Sequence, residues 1–541
     1  MPQMKGTDVA DAIGEFDYII VGGGTAGCLL ANRLSADPGT KVLLLEAGGK
    51  DNWIWFHIPV GYLYSQGNPR ADWCFKTEPA PGLNGRSLNY TRGKVLGGCS
   101  TINGMIYMRG QAADYDHWRQ LGNVGWSWED VLPWFKKTED HFQGAGALHG
   151  AGGEWRVEEQ RLSWKILDAF QQAAAEIGIP AIDDFNGGDN EGSAYFQVNQ
   201  KQGVRWHAAK AFLKPIRSRD NLTILTEAQT ERLILEGRRA TGVLFRQGNE
   251  LKRATAHAEV VLSAGAIGSP QILQLSGIGP GALLAEHGLN VHHELSGVGE
   301  NLQDHLQLRL AYKVQNIETL NEISQSIFRK AKMALDYMLF RRGPLSMAPS
   351  QLGAFAKSSN NFATPHLQYH IQPLSLGKFG EPLHPFPAFT ASVCNLRPES
   401  RGWVRLKRAD PREKPEIQPN YLSTDQDRRV AIDAIKLTRR IVMETDAMKP
   451  YQPEEFMPGL DLKADEELIK AAGDIGTTIF HPVSTCKMGA GEEAVVDDQL
   501  RVHGIERLRI ADASIMPTIT SGNTNSPTLM IAEKAAAMIR G

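Results

Sequence analysis

The sequence predicts an α/β protein, α+β overall, that combines a discontinuous domain on a parallel sheet with a second domain on an antiparallel sheet. Two observations lead to this prediction. A strand, a glycine-rich turn, a helix and a second strand follow one another in residues 16–49, and similar strand-like runs return near residue 260 and after residue 470. Between these runs, residues 309–469 carry more prolines and isolated strand-like segments, which are typical of an antiparallel sheet.

Residues 16–49 have the pattern of a dinucleotide-binding βαβ unit. Residues 17–21 are an apolar run rich in β-branched side chains, residues 28–35 are amphipathic, and residues 41–46 form a second apolar run that ends in an acid. These patterns predict a buried strand, a helix and a second strand. The glycine-rich turn between the first strand and the helix makes the unit Rossmann-like.

The turn of this unit supplies the residues that a bound nucleotide needs. Gly22 allows a tight turn, Gly24 lets the backbone approach a pyrophosphate, and Gly27 lets the helix pack closely against the strand. Thr25 and Ala26 lie at the start of the helix, where free N–H groups and a partial positive charge favour phosphates.

Glu46 closes the second strand and is followed by Ala47. A carboxylate at this position can accept hydrogen bonds from both ribose hydroxyls, and it would repel a 2′-phosphate. The acid therefore argues against NADP. The unit by itself fits both FAD and NAD.

The composition is that of an ordinary globular protein. The chain has 541 residues, 42% hydrophobic and 22% charged, with a net charge of −3. This length allows two or more domains, and the absence of a basic excess argues against a nucleic-acid partner. The five cysteines are scattered and odd in number, so we expect no disulfide framework, no metal site and a reducing compartment.

The sequence carries no targeting or membrane-spanning signal that we recognise. Residues 1–16 are polar and lack the apolar core of a signal peptide. No apolar run reaches the ~18 residues that a membrane span needs. We therefore expect a cytoplasmic protein, either free or peripheral on the inner membrane.

The remaining elements follow in order along the chain. Residues 92–104 form a second glycine-rich stretch whose glycine pairs suit a backbone lying against a flat ligand, although a surface loop would have the same composition. Helical spacing occurs in residues 112–142, 163–178, 269–276, 327–341, 425–445 and 528–539. Strand-like runs occur in residues 221–225, 240–247, 259–264, 367–372, 389–397, 403–407 and 508–512.

Together these elements predict two domains. Residues 14–160, 195–308 and 470–541 are expected to form the nucleotide-binding domain, and residues 161–194 and 309–469 the substrate-binding domain.

Three stretches, in this order and spacing, resemble the glucose–methanol–choline (GMC) family of FAD-dependent oxidoreductases from about residue 16 to residue 541. The first is the N-terminal βαβ unit. The second is residues 93–116, which match the first family signature except that Cys99 stands where Gly, Ser or Thr is usual. The third is residues 265–279, GAIGSPQILQLSGIG, which match the second signature throughout. Within the family, the chain is most similar to bacterial choline and primary-alcohol dehydrogenases and also resembles sorbose dehydrogenases.

The resemblance implies FAD rather than NAD as the cofactor, bound by a domain assembled from three segments. The cofactor-binding residues expected from the βαβ unit and from the resemblance are Gly22, Gly24, Thr25, Ala26, Gly27, Glu46, Ala47, Arg92, Gly93, Gly98, Asn103, Gly104, Met105, Ile106, Thr230, Ala264, Gly265, Asp512 and Ala513. Some relatives attach FAD through a histidine near the second glycine-rich stretch. Here Ser100 and Thr101 are followed by Ile102 and no histidine, so we expect noncovalent FAD.

The resemblance also implies two catalytic residues. Oxidising an alcohol removes a proton from oxygen and a hydride from carbon, so the protein must supply a base and a group that holds the oxygen. His481, in HPVSTCKMG, is the implied base, and Asn525, in GNTNSP, is the implied hydrogen-bond donor to the oxygen. Without the resemblance, the same residues equally fit a buried core histidine and the N-cap of the last helix.

These residues predict FAD-dependent oxidation of a primary alcohol to an aldehyde, by proton abstraction at His481 and hydride transfer to flavin N5. The expected partners are a small-molecule alcohol and a quinone or other electron acceptor. An alcohol oxidase that uses O₂ and makes H₂O₂ is one alternative, and a GMC-type lyase, either a hydroxynitrile lyase or a photodecarboxylase, is another. A noncatalytic flavin-binding protein is disfavoured because both catalytic positions are occupied. The sequence leaves the identity of the alcohol and the oligomeric state open.

Overall fold

The computed structural model describes residues 10–377 and 381–541. A sheet of seven strands contains the N-terminal βαβ unit. Across this sheet the strands are, in order, Leu222–Leu225, Val42–Leu45, Asp11–Val21, Glu250–Leu262, Arg239–Gln247 and Ala228–Glu236, and Leu508–Ile510 also pairs with Glu250–Leu262. The first four strands and Leu508–Ile510 pair in parallel, whereas the last two join through antiparallel pairs.

Two helices cover this sheet near the glycine-rich turn. Thr25–Leu34 follows the first strand, and a Cβ on Gly27 would lie 1.9 Å from the carbonyl oxygen of Gly22. Only glycine allows this backbone contact, so the residue sets how closely the helix approaches the strand. Asn525–Arg540, the last helix, packs beside Thr25–Leu34 in the same hydrophobic core.

A second sheet of seven strands is antiparallel throughout. Across it the strands are, in order, Glu454–Met457, Leu306–Lys313, Ala388–Asn395, Leu367–Gln372, Leu352–Ala356 and Gly192–Tyr195, and Gly476–Thr478 also pairs with Leu306–Lys313.

The two faces of the second sheet differ in polarity because side chains alternate along each strand. In Leu306–Lys313 and Leu367–Gln372, one set of residues is apolar and packs in a core with the helices Lys165–Glu176 and Asp425–Met443. Apart from Ala311, the alternate residues of the two strands are polar: Gln307, Arg309, Lys313, Gln368, His370 and Gln372. The sheet therefore offers a buried polar face on the side opposite its helices.

The remaining elements connect the two sheets. The other helices are Tyr62–Ser65, Ala112–Gln120, Trp128–Thr138, Gly265–Leu275, Gly281–Glu286, Leu320–Gln325, Ile327–Phe340 and Asp465–Ile475. Short two-stranded pairs are Phe75–Lys76 with Asn89–Tyr90, Glu139–His141 with Trp155–Val157, Gln200–Lys201 with Val204–Arg205, Ile278–Gly279 with His293–Glu294, and Trp403–Arg405 with Glu416–Gln418.

The structure confirms the predicted fold class, since one sheet is mainly parallel and the other antiparallel. The predicted domain ranges stay a prediction, but three strands of the second sheet depart from them. Gly192–Tyr195 extends beyond residue 194, and Leu306–Lys313 begins before residue 309. Gly476–Thr478 pairs with the second sheet although it lies in the range 470–541. A three-residue strand with a glycine carries too little periodicity to be seen in the sequence.

No helix in the described part of the chain combines the length and the apolar character that crossing a bilayer requires. Within the same residues, His, Cys, Asp and Glu side chains do not gather in groups of three or more that could hold a metal ion.

Candidate active site

A cavity of about 300 Å³ is lined from both sheets. One wall is made where the parallel strands end, by Val21, Leu45 and Asp512 and the turns beside them. Another wall includes Gln307 and Gln372 from the polar face of the antiparallel sheet. In open α/β sheets, ligands bind outside the carboxyl ends of the parallel strands, as in this arrangement.

Most of the predicted site residues meet at this cavity. Those that line it are Gly22, Gly24, Thr25, Ala26, Glu46, Ala47, Arg92, Gly93, Gly98, Asn103, Gly104, Met105, Ile106, Thr230, Ala264, Gly265, Asp512, Ala513, His481 and Asn525. Gly27 is not among the lining residues, because it faces the backbone of Gly22 inside the helix–strand contact. The close helix–strand packing expected of Gly27 is present, and its place among the cofactor-binding residues stays a prediction.

The two glycine-rich stretches lie directly against each other. Gly98 has φ +53°, and a Cβ on it would lie 2.7 Å from the Cα of Gly24. A Cβ on Gly93 would lie 2.3 Å from the carbonyl carbon of Gly98. Side chains at these positions would therefore push the stretches apart. The bare backbone forms a narrow cradle of the kind that a pyrophosphate requires.

Two helix N-termini open onto this cradle. Thr25–Leu34 and Asn525–Arg540 both begin without a side-chain cap among the described residues. Their first backbone N–H groups therefore stay available to a ligand, and the partial positive charge of each helix end favours anionic groups. This arrangement fits a phosphate-bearing cofactor with a second electron-rich group.

Glu46 is buried at the end of the Val42–Leu45 strand and is held by backbone donors. Its Oε2 accepts a hydrogen bond from Gly23 N at 2.9 Å, and its Oε1 accepts one from Gly48 N at 2.7 Å. Burial raises the pKa of this carboxyl to about 7, although both hydrogen bonds act to lower it. Each carboxylate oxygen keeps a second lone pair, so the group can still accept from two ribose hydroxyls.

Asp512 is fully engaged within the protein. Its Oδ2 accepts hydrogen bonds from Gly265 N at 2.9 Å and Ser269 Oγ at 2.6 Å, and its Oδ1 accepts from Ser514 N at 2.8 Å. Burial raises the pKa of its carboxyl above the ordinary value. The side chain therefore ties the Leu508–Ile510 strand to the helix Gly265–Leu275 and shapes the cavity wall from behind.

Three buried side-chain atoms that belong to cavity-lining residues have no hydrogen-bond partner among the described residues: Thr230 Oγ1, His370 Nε2 and Asn525 Nδ2. A buried polar atom without a partner costs about 1–3 kcal/mol, so these atoms indicate that a polar ligand completes the site. The glycine cradle, the open helix ends and these atoms fit a dinucleotide that also carries a polar ring system.

His481 lies in the cavity wall and is 7% exposed. Burial, helped by the nearby His305, His370 and Arg92, holds the pKa of its imidazole well below the ordinary value. The ring is therefore neutral at physiological pH. A neutral imidazole has one nitrogen with a lone pair, which can act as a base.

The hydrogen bonds of His305 determine which nitrogen of His481 is the base. His305 Nε2 lies 3.0 Å from the carbonyl oxygen of Leu396, which can only accept, so this nitrogen carries the proton. Burial lowers the pKa of His305 to about 4, so the ring is neutral and its Nδ1 has a lone pair. His481 Nδ1 lies 3.0 Å from that atom and must be the donor. His481 Nε2 therefore carries the lone pair and accepts a hydrogen bond from Asn523 Nδ2.

Asn523 occupies the position next to this lone pair. Its Nδ2 lies 3.1 Å from His481 Nε2, and its Oδ1 accepts a hydrogen bond from Gln368 Nε2 at 3.3 Å. Asn525, by contrast, uses its Oδ1 to accept from Thr25 Oγ1 at 2.8 Å. The structure thus places Asn523, and not Asn525, beside the histidine, and the role of Asn525 as the donor to the alcohol oxygen stays a prediction. Asn525 is already the first residue of the last helix, whereas Asn523 precedes it.

Asp304 positions both histidines through their backbones. Its Oδ1 accepts hydrogen bonds from His481 N at 2.7 Å and from His305 N at 3.0 Å. Its Oδ2 accepts from Thr478 Oγ1 at 2.6 Å and Tyr90 Oη at 2.9 Å. The buried carboxylate of Asp304 therefore ties the start of the strand Leu306–Lys313 to the segment that carries Thr478 and His481.

Sequence reasoning missed three of these residues: Asp304, His305 and Asn523. The first two end the stretch GVGENLQDH, residues 297–305, and nothing in its spacing distinguishes it from a polar loop. Asn523 lies two residues from the predicted Asn525 in the same motif, GNTNSP. The one sequence signal was that both asparagines precede the helical spacing of residues 528–539.

Comparison with known proteins agrees with this geometry. The family profile described as GMC oxidoreductase matches residues 16–307 with its N-terminal part and residues 398–532 with its C-terminal part. The chain belongs to the GMC oxidoreductase family. As a member of this family it is an oxidoreductase that acts on CH–OH donors, and its cofactor is FAD.

The relatives of this GMC oxidoreductase extend over nearly the whole chain. It is 41% identical over 527 residues to "Alcohol dehydrogenase [acceptor]" of Pseudomonas putida, covering 97% of this chain and 95% of that protein. It is 42% identical over 534 residues to "Oxygen-dependent choline dehydrogenase" of Escherichia coli (strain K12), covering 97% and 96%. These relatives support FAD-dependent alcohol oxidation as the general activity.

Solved structures of oxidases in this family have the same architecture. Pyridoxine 4-oxidase from Mesorbium loti superposes with a TM-score of 0.88 at 32% identity, covering 96% of this chain and 98% of that one. A mutant of formate oxidase from Aspergillus oryzae RIB40, in which FAD modification was examined, gives a TM-score of 0.91 at 26% identity, covering 98% and 99%.

Proposed function

We propose that the protein oxidises a neutral primary alcohol to an aldehyde and passes the electrons to a quinone or another organic acceptor. The observation that carries this proposal is the 3.0 Å hydrogen bond between the Nδ1 atoms of His305 and His481. It leaves the lone pair of His481 Nε2 as a neutral base in the wall of the cavity.

In this reaction His481 Nε2 takes the hydroxyl proton of the alcohol. In this structure the amide N–H of Asn523 donates to that nitrogen at 3.1 Å, and when the alcohol binds it would turn to the alcohol oxygen as negative charge develops there. When bound, FAD supplies the acceptor for the hydride that leaves the carbon. Loss of this proton and hydride converts the primary alcohol into the aldehyde.

The residues that line the cavity support a noncovalent mode of FAD binding. Glu46 would accept hydrogen bonds from the ribose hydroxyls, and the backbones of Gly24 and Gly98 would hold the pyrophosphate. Asn525 Nδ2, a buried donor without a partner among the described residues, would face the flavin. Because residues 97–104 contain no histidine, denaturing the protein in acid should release the flavin into the supernatant.

Charge around the cavity favours a neutral alcohol over choline. Among the described residues that line it, the acidic side chains are Glu46 and Asp512, and both already accept hydrogen bonds from backbone N–H groups. Near His481 the lining polar side chains include the neutral Gln307, Gln372 and Asn523, and the charged one is the cationic Arg92. A quaternary ammonium ion buried there would lack a carboxylate, and burying an unpaired charge is costly.

The proposed acceptor matches the printed name of the Pseudomonas putida relative, "Alcohol dehydrogenase [acceptor]". Quinones reside in the bilayer, so we further propose that the protein works in the cytoplasm, peripheral on the inner membrane. Oxygen is the competing acceptor, as the oxidase structures of similar fold illustrate.

The test is anaerobic mixing of the FAD-loaded protein with single alcohols while the flavin absorbance is followed. The panel contains aliphatic and aromatic primary alcohols, choline and sugars. We expect bleaching by a neutral primary alcohol, fast return of colour with a soluble quinone and slow return in air. His481→Ala serves as the control, and it should keep FAD while its rate of bleaching falls by about 10²–10⁴-fold.

Each other outcome rejects part of the proposal. Bleaching by choline alone contradicts the argument from cavity charge. Fast return of colour in air identifies an oxidase that makes H₂O₂. No bleaching by any alcohol, with FAD bound, rejects alcohol oxidation and leaves the two lyase activities to be assayed.

A further inference from the structure

The helix Ile327–Phe340 leaves an unusual amount of apolar surface in water. Of the 15 large hydrophobic residues that are exposed in the described part of the chain, six lie on this helix. They are Ile327 (73% exposed), Phe328 (85%), Leu335 (51%), Met338 (66%), Leu339 (63%) and Phe340 (61%). The buried residue of the helix is Tyr337. Contiguous exposed apolar surface of this kind marks an interaction site.

The exposed residues follow helical spacing, so they form a stripe. Phe328, Leu335 and Met338 are seven and three residues apart, which places them along one side of the helix. Ile327 and Leu339 broaden the same side. We call these five residues the apolar stripe, and Phe340 lies on another side of the helix. In an ordinary surface helix such a stripe faces the core, whereas here it faces away from it.

Basic residues accompany the apolar stripe. Residues 327–342 contain Arg329, Lys330, Lys332, Arg341 and Arg342 against the single acid Asp336. Lys332 pairs with Asp336 at 2.7 Å, and Arg329 pairs with Glu318. The segment is therefore strongly basic in a chain whose net charge is −3. An apolar stripe with basic residues beside it is the pattern of a helix that lies in the surface of an anionic bilayer.

The helix Ile327–Phe340 is joined to the segment beside the cavity through its buried residue, Tyr337. Tyr337 Oη donates a hydrogen bond to the carbonyl oxygen of Gly203 at 3.0 Å. Gly203 lies in the hairpin of Gln200–Lys201 and Val204–Arg205, and from this hairpin Arg205 Nη2 donates to the carbonyl oxygen of Pro59 at 3.2 Å. The segment around Pro59 exposes three more apolar residues, Ile54, Leu63 and Tyr64. Tyr62 from this segment lines the cavity.

The apolar stripe could be covered by a membrane or by a second copy of this chain, and the basic residues beside it favour the membrane. In a symmetric dimer the same patch meets itself, so the basic residues of one copy would face those of the other. Like charges brought together in this way oppose association. A bilayer with anionic headgroups instead offers acyl chains to the apolar stripe and phosphates to Lys330 and Arg342.

We propose that the helix Ile327–Phe340 docks the protein on an anionic membrane surface, with the segment around Pro59 on the same side. The apolar stripe enters the boundary between headgroups and acyl chains, while the basic residues contact the phosphates. The side of the protein that carries Tyr62 then lies near the bilayer. This inference does not depend on the proposed reaction, because it rests on the surface and not on the catalytic residues.

The test is sedimentation of the FAD-loaded protein with vesicles of phosphatidylglycerol mixed with phosphatidylcholine. We expect the protein to pellet with these vesicles and to remain in the supernatant with pure phosphatidylcholine. Phe328→Ser and Leu335→Ser should each weaken the partition coefficient about tenfold, as expected for loss of one large buried side chain. Lys330→Glu combined with Arg342→Glu should weaken binding to the anionic vesicles and reduce its salt dependence.

Val124→Ser is the matched control, because Val124 is 57% exposed and lies in the turn between the helices Ala112–Gln120 and Trp128–Thr138. It should sediment like the unchanged protein, and all variants should keep FAD and the unchanged melting temperature. Equal binding to both vesicle types, or equal sedimentation of Phe328→Ser and Val124→Ser, overturns the proposal. So does a dimer in analytical ultracentrifugation that Phe328→Ser dissociates, because the apolar stripe would then face a second copy.

Discussion

His305 and His481 face each other through their Nδ1 atoms at 3.0 Å, and the outer nitrogen of His305 donates to the carbonyl oxygen of Leu396. Two neutral imidazoles can form this bond only if one Nδ1 carries a proton and the other does not. The main-chain carbonyl thus selects the tautomer of His305, and His305 selects that of His481. The carbonyl oxygen of Leu396 therefore determines, through His305, which nitrogen of His481 carries the proton.

The first prediction concerns His305 as a positioning residue. His305→Phe removes the acceptor for His481 Nδ1, so His481 can adopt the other tautomer, with its proton on Nε2 where the base is needed. We expect FAD binding to be retained and the rate of flavin reduction by the alcohol to fall about 10–100-fold, less than in His481→Ala. Stopped-flow absorbance under anaerobic conditions measures both.

The conservative variant separates positioning from packing. In His305→Asn the amide oxygen can accept from His481 Nδ1, so part of the lost rate should return, although Asn fills less volume than Phe. A purely structural role predicts the opposite order, with His305→Phe the better enzyme. That order, measured with equal FAD content, would refute the positioning role.

The second prediction separates the two asparagines of GNTNSP. Asn523 lies beside His481 Nε2, whereas Asn525 accepts from Thr25 and its buried Nδ2 has no partner among the described residues. We expect Asn523→Ala to lower the rate of flavin reduction about 10–100-fold with little change in FAD retention. Asn525→Ala should chiefly weaken FAD retention. Stopped-flow reduction measures the rate, and the flavin-to-protein absorbance ratio after gel filtration measures FAD retention. If Asn525→Ala lowers the rate and Asn523→Ala lowers FAD retention instead, the catalytic role belongs to Asn525.

The third prediction concerns Glu46 and the ribose. Glu46→Gln keeps the shape of the side chain, but its amide group puts a donor where the carboxylate accepts from Gly23 N or Gly48 N. We expect this variant to lose FAD on gel filtration, with an affinity lower by about 10–100-fold, since hydrogen bonds to charged groups are worth about 1.5–3 kcal/mol. Glu227→Gln is the control, because it changes a nearby acid that does not line the cavity. A Glu46→Gln protein that purifies fully loaded would exclude the ribose role.

The sequence was sufficient for those features that depend on local patterns. Gly22, Gly24 and Glu46 were predictable because a tight turn, a close approach and a strand end each require a particular residue type at a particular spacing. His481 was reached through the family resemblance, since fifteen histidines give no selection by type. In both cases the signal lies within a few consecutive residues.

The remaining features depend on contacts between distant segments. His305 and His481 are 176 residues apart, and their pairing follows from the strand Leu306–Lys313, which is absent from the prediction. Asn523 and Asn525 belong to the same short motif, and what separates them is where the last helix begins: Asn523 lies before the helix and Asn525 is its first residue. That boundary depends on packing against Thr25–Leu34, which no local pattern reveals.

The last prediction concerns His149 and the dependence of stability on pH. His149 Nε2 lies 2.9 Å from Asp184 Oδ2, and its Nδ1 lies 3.2 Å from Glu139 Oε2. Burial acts to lower the pKa of this imidazole, but the two carboxylates outweigh burial and raise it to about 9. The unfolded chain has the ordinary pKa near 6.5, so the folded state holds the proton more tightly. The ion pairs therefore add stability in full below about pH 6.5, and the gain is lost as the pH rises through about 9.

His149→Gln removes this contribution. We expect it to lower the free energy of unfolding by about 1–2 kcal/mol at pH 6.5, after allowance for solvent screening of a partly exposed group. At pH values above 9 the variant and the unchanged protein should unfold alike, apart from a constant packing difference. Thermal unfolding of both FAD-loaded proteins across this range, at fixed ionic strength, measures the difference. A gap that stays constant, or widens with increasing pH, would mean that His149 is not protonated between its two carboxylates.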